Sequence, residues 1–234
     1  MFRYLMNDGN IRDFLISFLL SLPIFLLSLS FHETAHGYVA SKLGDPTARS
    51  LGRLTLNPAK HLDPIGFLCM VLFGMGWAKP VPVDTRYFKK PRRDMAITAA
   101  AGPISNILMA AIFALILRLS YTGLQFVPIG TSTVATVISI WLSFLILCIR
   151  LNAMLAVFNL IPVSPLDGGR ILNFFLPARL AYQMSRYERA ISLVLMAALM
   201  IGVLTPLINF LSDLLVRLIL TATLLKDTAF WQLF

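Results

Sequence analysis

The chain has 234 residues, of which 58% are hydrophobic and only 13% charged, and its mean hydropathy is +0.79. A soluble protein of this length cannot hide so much apolar surface, so the composition excludes an ordinary water-soluble domain. The net charge of +9 does not indicate nucleic acid, because the cations cluster between hydrophobic segments, as in cytoplasmic loops of membrane proteins.

Uncharged runs at 14–31, 65–78, 95–117, 127–149 and 190–212 predict an all-α polytopic membrane protein. About five transmembrane helices are expected, with a re-entrant segment and a small edge-strand or β-hairpin element. Residues 1–234 read as a single membrane-embedded domain without an appended soluble module. The first run has no small-x-small cleavage site, so it reads as a retained helix rather than a signal peptide. That helix is expected over 11–43 and ends at Gly44-Asp45-Pro46. Its second half carries His32-Glu33-Thr34-Ala35-His36. Residues four apart lie one turn apart on one helix face, so both imidazoles can reach a single Zn²⁺. Glu33 sits about 100° round the helix, placed to act as a general base without being a ligand.

A basic loop follows to about Leu62. Asp63-Pro64-Ile65-Gly66 then opens an apolar stretch ending near Gly76, too short for a comfortable span and suited to a re-entrant segment. Trp77 to Asp84 holds Pro80 and Pro82 at alternate positions, which permits only an edge strand. Helices are expected at 94–119 and 133–160. After them Pro162, Pro165, Gly168 and Gly169 break the path. A short helix from Arg170 to Phe175 and a pair at 188–204 and 207–225 complete the chain. Residues 79–93 hold Lys79, Arg86, Lys89, Lys90, Arg92 and Arg93, and 177–189 hold Arg179, Arg186 and Arg189, whereas 119–132 hold no Lys or Arg. The first two loops are therefore expected in the cytoplasm and the third outside, which puts the His/Glu motif toward the cytoplasmic side of a cell membrane.

A catalytic zinc usually has three protein ligands and one open position. Asp45 reads as a cap for the zinc helix, Asp84 and Asp94 as solvated charges beside Lys/Arg clusters, and Asp213 as placed toward the external end. Glu188 and Asp227 read as interface charges. His61, Asp63 and Asp167 remain. Asp167 lies in an apolar stretch with broken backbone, which is tolerated at membrane depth only where it is buried in protein or lines a cavity. Spacing alone leaves it open between a cap on the following helix and a ligand. Asn106, one turn after Gly102, reads as part of a close-packing face. Arg150, deep in its helix, needs a partner, with Asp213 one candidate. Cys69 and Cys148 read as small hydrophobes, and Trp77, Trp141 and Trp231 as interfacial or packing aromatics.

His32-Glu33-x-x-His36 together with Asn159-Leu-Ile-Pro162-Val-Ser-Pro165-Leu-Asp167-Gly168-Gly169 resembles the site-2 protease family of intramembrane zinc metalloproteases. Ala101-Gly102-Pro103-Ile-Ser-Asn106 resembles the family's helix between those motifs. His61 to Gly66 and Gly76 to Val83 resemble its compact branch, which lacks PDZ and CBS domains. The resemblance covers roughly residues 25 to 210. It implies one Zn²⁺ per chain on His32, His36 and Asp167, with Glu33 as catalytic base. It implies hydrolysis of peptide bonds in or near transmembrane segments of membrane-protein substrates within the lipid bilayer. Asn159, and with it Asn152 on the same helix face, is a candidate for binding substrate backbone or the developing oxyanion; the alternative is interhelical hydrogen bonding. Val81 and Val83 are expected to hold unwound substrate by strand addition. A membrane regulator or a second copy of the chain is a candidate partner. Two other functions use the same residues. A metal-ion transporter would need polar groups continuing across the membrane, and a catalytically inactive scaffold would have no need of an intact ligand set.

Overall fold

The computed structural model describes residues 11–73, 76–124 and 132–223. Asp227 and Trp231, and the ends of the expected re-entrant segment and last helix, lie outside these residues. Nine α-helices are found among the described residues: α1 (Ile11–Lys42), α2 (Thr47–Ser50), α3 (Pro64–Phe73), α4 (Pro91–Leu124), α5 (Ser132–Leu160), α6 (Asp167–Phe175), α7 (Ala178–Arg186), α8 (Glu188–Ile201) and α9 (Thr205–Ala222). Three of them, α4, α5 and α9, are long and apolar enough to cross a membrane. The charge-free run Phe14–Phe31 lies within α1.

Helix α4 is the centre of the bundle: α1, α5, α6 and α9 all pack against it. One stripe on its surface explains this. Gly102, Asn106, Ala110 and Ala114 recur every four residues and are all buried, so the backbones of neighbouring helices approach closely. Ala110, Ala114 and Leu117 meet Leu145, Ile149 and Ala153 of α5 and Val216, Ile219 and Leu220 of α9 in the apolar core. The opposite face of α4 carries Ile104, Leu108, Ile112, Leu115 and Leu119, each 48–70% exposed. Small residues inside and large aliphatics outside is the arrangement expected where lipid, not water, surrounds the bundle.

Helix α4 starts three residues before its expected position because Pro91 supplies a preset helical φ at the first turn. Asp94 is 1% exposed rather than solvated as its sequence neighbours suggested. Its Oδ2 accepts the Lys90 N–H at 2.9 Å and its Oδ1 accepts Arg93 Nε at 2.8 Å, so the carboxylate caps the first turn of the helix. Helix α7, read from sequence only as basic loop, follows Pro177.

The expected edge strand over Trp77–Val83 does not form. Among the described residues the chain makes one isolated antiparallel bridge, Leu62 with Ala78. Pro80 and Pro82 have no N–H to give a ladder, and three neighbouring donors are directed elsewhere. Lys79 N–H goes to His61 O at 2.9 Å, Val81 N–H to Glu33 Oε2 at 2.8 Å and Asp84 N–H to Asp45 Oδ2 at 2.8 Å. The segment is thus an extended strap, and Arg53 clamps it by donating from Nη2 to Lys79 O at 2.8 Å and Pro80 O at 3.3 Å. Asp45 does not cap α1. Its Oδ1 accepts from the N–H and hydroxyl of Thr47 at the start of α2, and its Oδ2 holds the strap.

Candidate metal centre

Two distant stretches meet against α4. Helix α1 presents His32 and His36 on one face, and the turn from α5 into α6 presents Asp167. Asp167 can stand there because two glycines follow it. A side chain at Gly168 would place its Cβ 2.3 Å from Leu160 O, and one at Gly169 2.6 Å from Ser164 N. The start of α6 therefore lies directly on the end of α5, with no room for a larger residue.

His32 Nε2 and His36 Nε2 are 3.0 Å apart, and Asp167 Oδ2 is 3.1 Å from the first and 3.2 Å from the second. The protons of both rings are accounted for on the other nitrogen. His36 Nδ1 donates to Thr98 O at 2.8 Å, and a carbonyl can only accept. His32 Nδ1 donates to Asn106 Oδ1 at 3.1 Å. Three lone-pair atoms thus converge with no proton between them, which is favourable only around a cation. Zinc bound tetrahedrally at about 2.0–2.1 Å has ligand atoms about 3.3 Å apart, close to the edges of this triangle. Two neutral imidazoles and one carboxylate are a donor set that zinc favours. Among the described residues these three are the one group of His, Cys, Asp and Glu able to hold an ion.

Helix α4 shapes the centre from behind. Thr98, Gly102 and Asn106 lie at intervals of four on one face. Thr98 and Asn106 fix the two ring tautomers. Gly102 lies directly against the nitrogens: a Cβ there would be 2.4 Å from His36 Nε2 and 2.5 Å from His32 Nε2. Asn106 was not singled out from sequence as a site residue; its place one turn from Gly102 suggested packing alone. It is fully buried and its Oδ1 orients the His32 ring, a contact of the kind that governs affinity where a histidine holds a metal. Asn106→Leu is expected to weaken zinc binding about 10- to 100-fold, measured by competition with a chromophoric chelator. Unchanged affinity would leave Asn106 as a packing residue.

Glu33 is buried beside its histidine neighbours, and its Oε2 accepts the Val81 N–H. Of the other candidates, His61 is fully buried but bonds Thr55 O through Nε2 at 2.7 Å. Asp63 Oδ1 accepts Gly66 N–H at 2.8 Å and caps α3. Neither belongs to the triangle. Asn152 is fully buried and gives Nδ2 to Cys148 O at 2.9 Å, while Asn159 gives Nδ2 to Leu155 O at 3.0 Å. Both spend one amide hydrogen on their own helix. Arg150 and Asp213 both lie on the outer surface of the bundle. In the loop after the strap, the Arg86 guanidinium, with Nε 2.9 Å from Asp84 Oδ1, holds the Asp84 carboxyl below the usual range.

A buried histidine pair, a carboxylate from a distant turn and an adjacent glutamate define a metallohydrolase-type centre inside a bundle of apolar helices. Comparison with known proteins agrees. The model of peptidase family M50 matches residues 20–203, and the chain belongs to that family. The protein named "Putative zinc metalloprotease YwhC" from Bacillus subtilis (strain 168) is 43% identical over 165 residues, covering 70% of this chain and 72% of that protein. "Putative zinc metalloprotease Rip2" from Mycobacterium tuberculosis is 32% identical over 162 residues, covering 67% of this chain and 57% of that protein. "Putative zinc metalloprotease MJ0611" from Methanocaldococcus jannaschii is 27% identical over 180 residues, covering 71% and 82%. No solved structure matches the chain significantly.

Proposed function

We propose that this chain is an intramembrane zinc endopeptidase that cleaves peptide bonds in or near the transmembrane segments of other membrane proteins. The observation that carries this reading is the triangle of His32, His36 and Asp167 lone pairs, with Glu33 next in sequence to the first ligand. The three side chains would hold one zinc. When bound, zinc supplies Lewis acidity toward the scissile carbonyl and lowers the pKa of an attacking water to about 7.

Glu33 takes the proton from the attacking water and later delivers it to the leaving amine. The Val81 N–H fixes Oε2 of that carboxylate, which leaves Oε1 for the proton. Asn106 and the Thr98 carbonyl hold the imidazoles in the tautomer that presents Nε2. A helical peptide shields its own carbonyls, so the substrate must unwind at the site. The strap offers an extended edge for that conformation: the Val83 N–H makes no hydrogen bond among the described residues, and Val81 stands beside the catalytic carboxylate. Val81 and Val83 thus pair with substrate by strand addition. Asn159 and Asn152 each retain a second amide hydrogen for substrate backbone or oxyanion.

The bundle crosses the membrane about five times, through α1, α4, α5, α8 and α9. Helix α3, ten residues or about 15 Å long, dips in and returns. The six cations of 79–93 and three of 177–189, against none in 119–132, set the metal centre toward the cytoplasm. Comparing membrane proteomes of cells carrying the wild type or Glu33→Gln tests the reading. Membrane proteins should accumulate uncleaved in the variant; identical fragment patterns would refute the assignment.

A further inference from the structure

One cavity is lined by none of His32, His36 and Asp167. It has a volume of about 450 Å³ and lies between the first turn of α4 and helices α6 and α7, with Arg92, Arg170, Asn173, Phe174, Tyr182 and Ser185 in its wall. No Asp or Glu lines it. Arg92 is pinned there: its Nη2 donates to Asn173 O and Leu176 O, both at 2.6 Å. These are carbonyls at the end of α6, and among the described residues no carboxylate pairs with the guanidinium. Arg170 is exposed and forms no ion pair among the described residues. Asn173 completes the wall with a polar side chain. Two cations with no facing carboxylate suit a phosphate ester.

We propose that this cavity binds the headgroup of an anionic phospholipid. The rim distinguishes a lipid from a free phosphate. Phe174 and Tyr182 in its wall stand 40% and 69% exposed, an apolar edge that a soluble anion does not need and acyl chains do. The cavity also opens at the first turn of a helix long enough to span a bilayer, the level at which phosphates lie. Basic pockets at this level are suited to anionic headgroups. The inference rests on α4 crossing the membrane, not on the chemistry at the metal.

The test uses the full chain in mixed phosphatidylcholine–phosphatidylglycerol nanodiscs, with retained lipid counted by mass spectrometry after detergent exchange. Wild-type protein should enrich phosphatidylglycerol, and millimolar inorganic phosphate should not displace it. Arg170→Gln should lower the enrichment about fivefold. Ala181→Glu, which adds a carboxylate to the wall without removing any hydrogen bond, should abolish it. Equal retention of both lipids, unchanged enrichment in both variants, or displacement by inorganic phosphate would overturn the proposal. The readout needs neither zinc nor cleavage, so a failure of the peptidase reading is distinguishable from a failure here.

Discussion

Glu33→Gln should retain zinc at the wild-type stoichiometry and lose about 10²- to 10⁴-fold in turnover, the usual contribution of a general base. The substitution is nearly isosteric, and Glu33 is not one of the three converging ligands. An amide can still accept the Val81 N–H that now meets Oε2, so the strap should stay in place. What disappears is the ability to take a proton. Single-turnover cleavage of a reconstituted substrate, with metal analysis of the same sample, separates the two effects. A variant that turns over normally would remove Glu33 from the chemistry. One that loses zinc as well would make it a structural element of the site.

Gly102→Ala should be nearly as damaging for an opposite reason. Alanine is the better helix former, so α4 itself should gain about 0.5–1 kcal/mol from the change. Its Cβ, however, would fall 2.4–2.6 Å from His36 Nε2 and from Nε2 and Cε1 of His32. No real Cβ sits so close to a ring. Both histidines are also tied to α4 through Thr98 and Asn106, so they cannot retreat without breaking those bonds. The clash offsets that gain, and the expected result is a folded protein holding less than about a tenth of the zinc and cleaving correspondingly little. Full metal content with normal turnover would show that the histidines do not meet where the structure places them.

Sequence patterns expose some parts of this molecule and hide others. Long uncharged runs and the HExxH spacing belong to side chains, and both the zinc helix and its face were legible. Asp167 was only one of three candidates on spacing. Its motif resemblance favoured it, and the meeting of α1 with the α5–α6 turn against α4 places it with the histidines. Thr98 acts through a backbone carbonyl, which any residue would supply, so no letter in the sequence marks it. Asn106 shares the four-residue stripe with Gly102 and Ala110, and a stripe that packs looks the same as one that orients a ligand. Asp94 looked solvated because its neighbours are Lys and Arg, but those neighbours fold it into a cap. The strap looked like a strand because prolines at alternate positions leave the N–H groups of Lys79 and Val81 pointing one way. Where those donors go depends on Glu33 and His61, 48 and 18 residues distant in sequence.

Elemental analysis of the purified wild-type chain beside Asp167→Ala tests whether His32, His36 and Asp167 jointly hold one zinc ion. One zinc per wild-type chain and less than about a tenth of that in the variant is the expected result. A metal-free wild type, or a variant that keeps its full zinc, would contradict it.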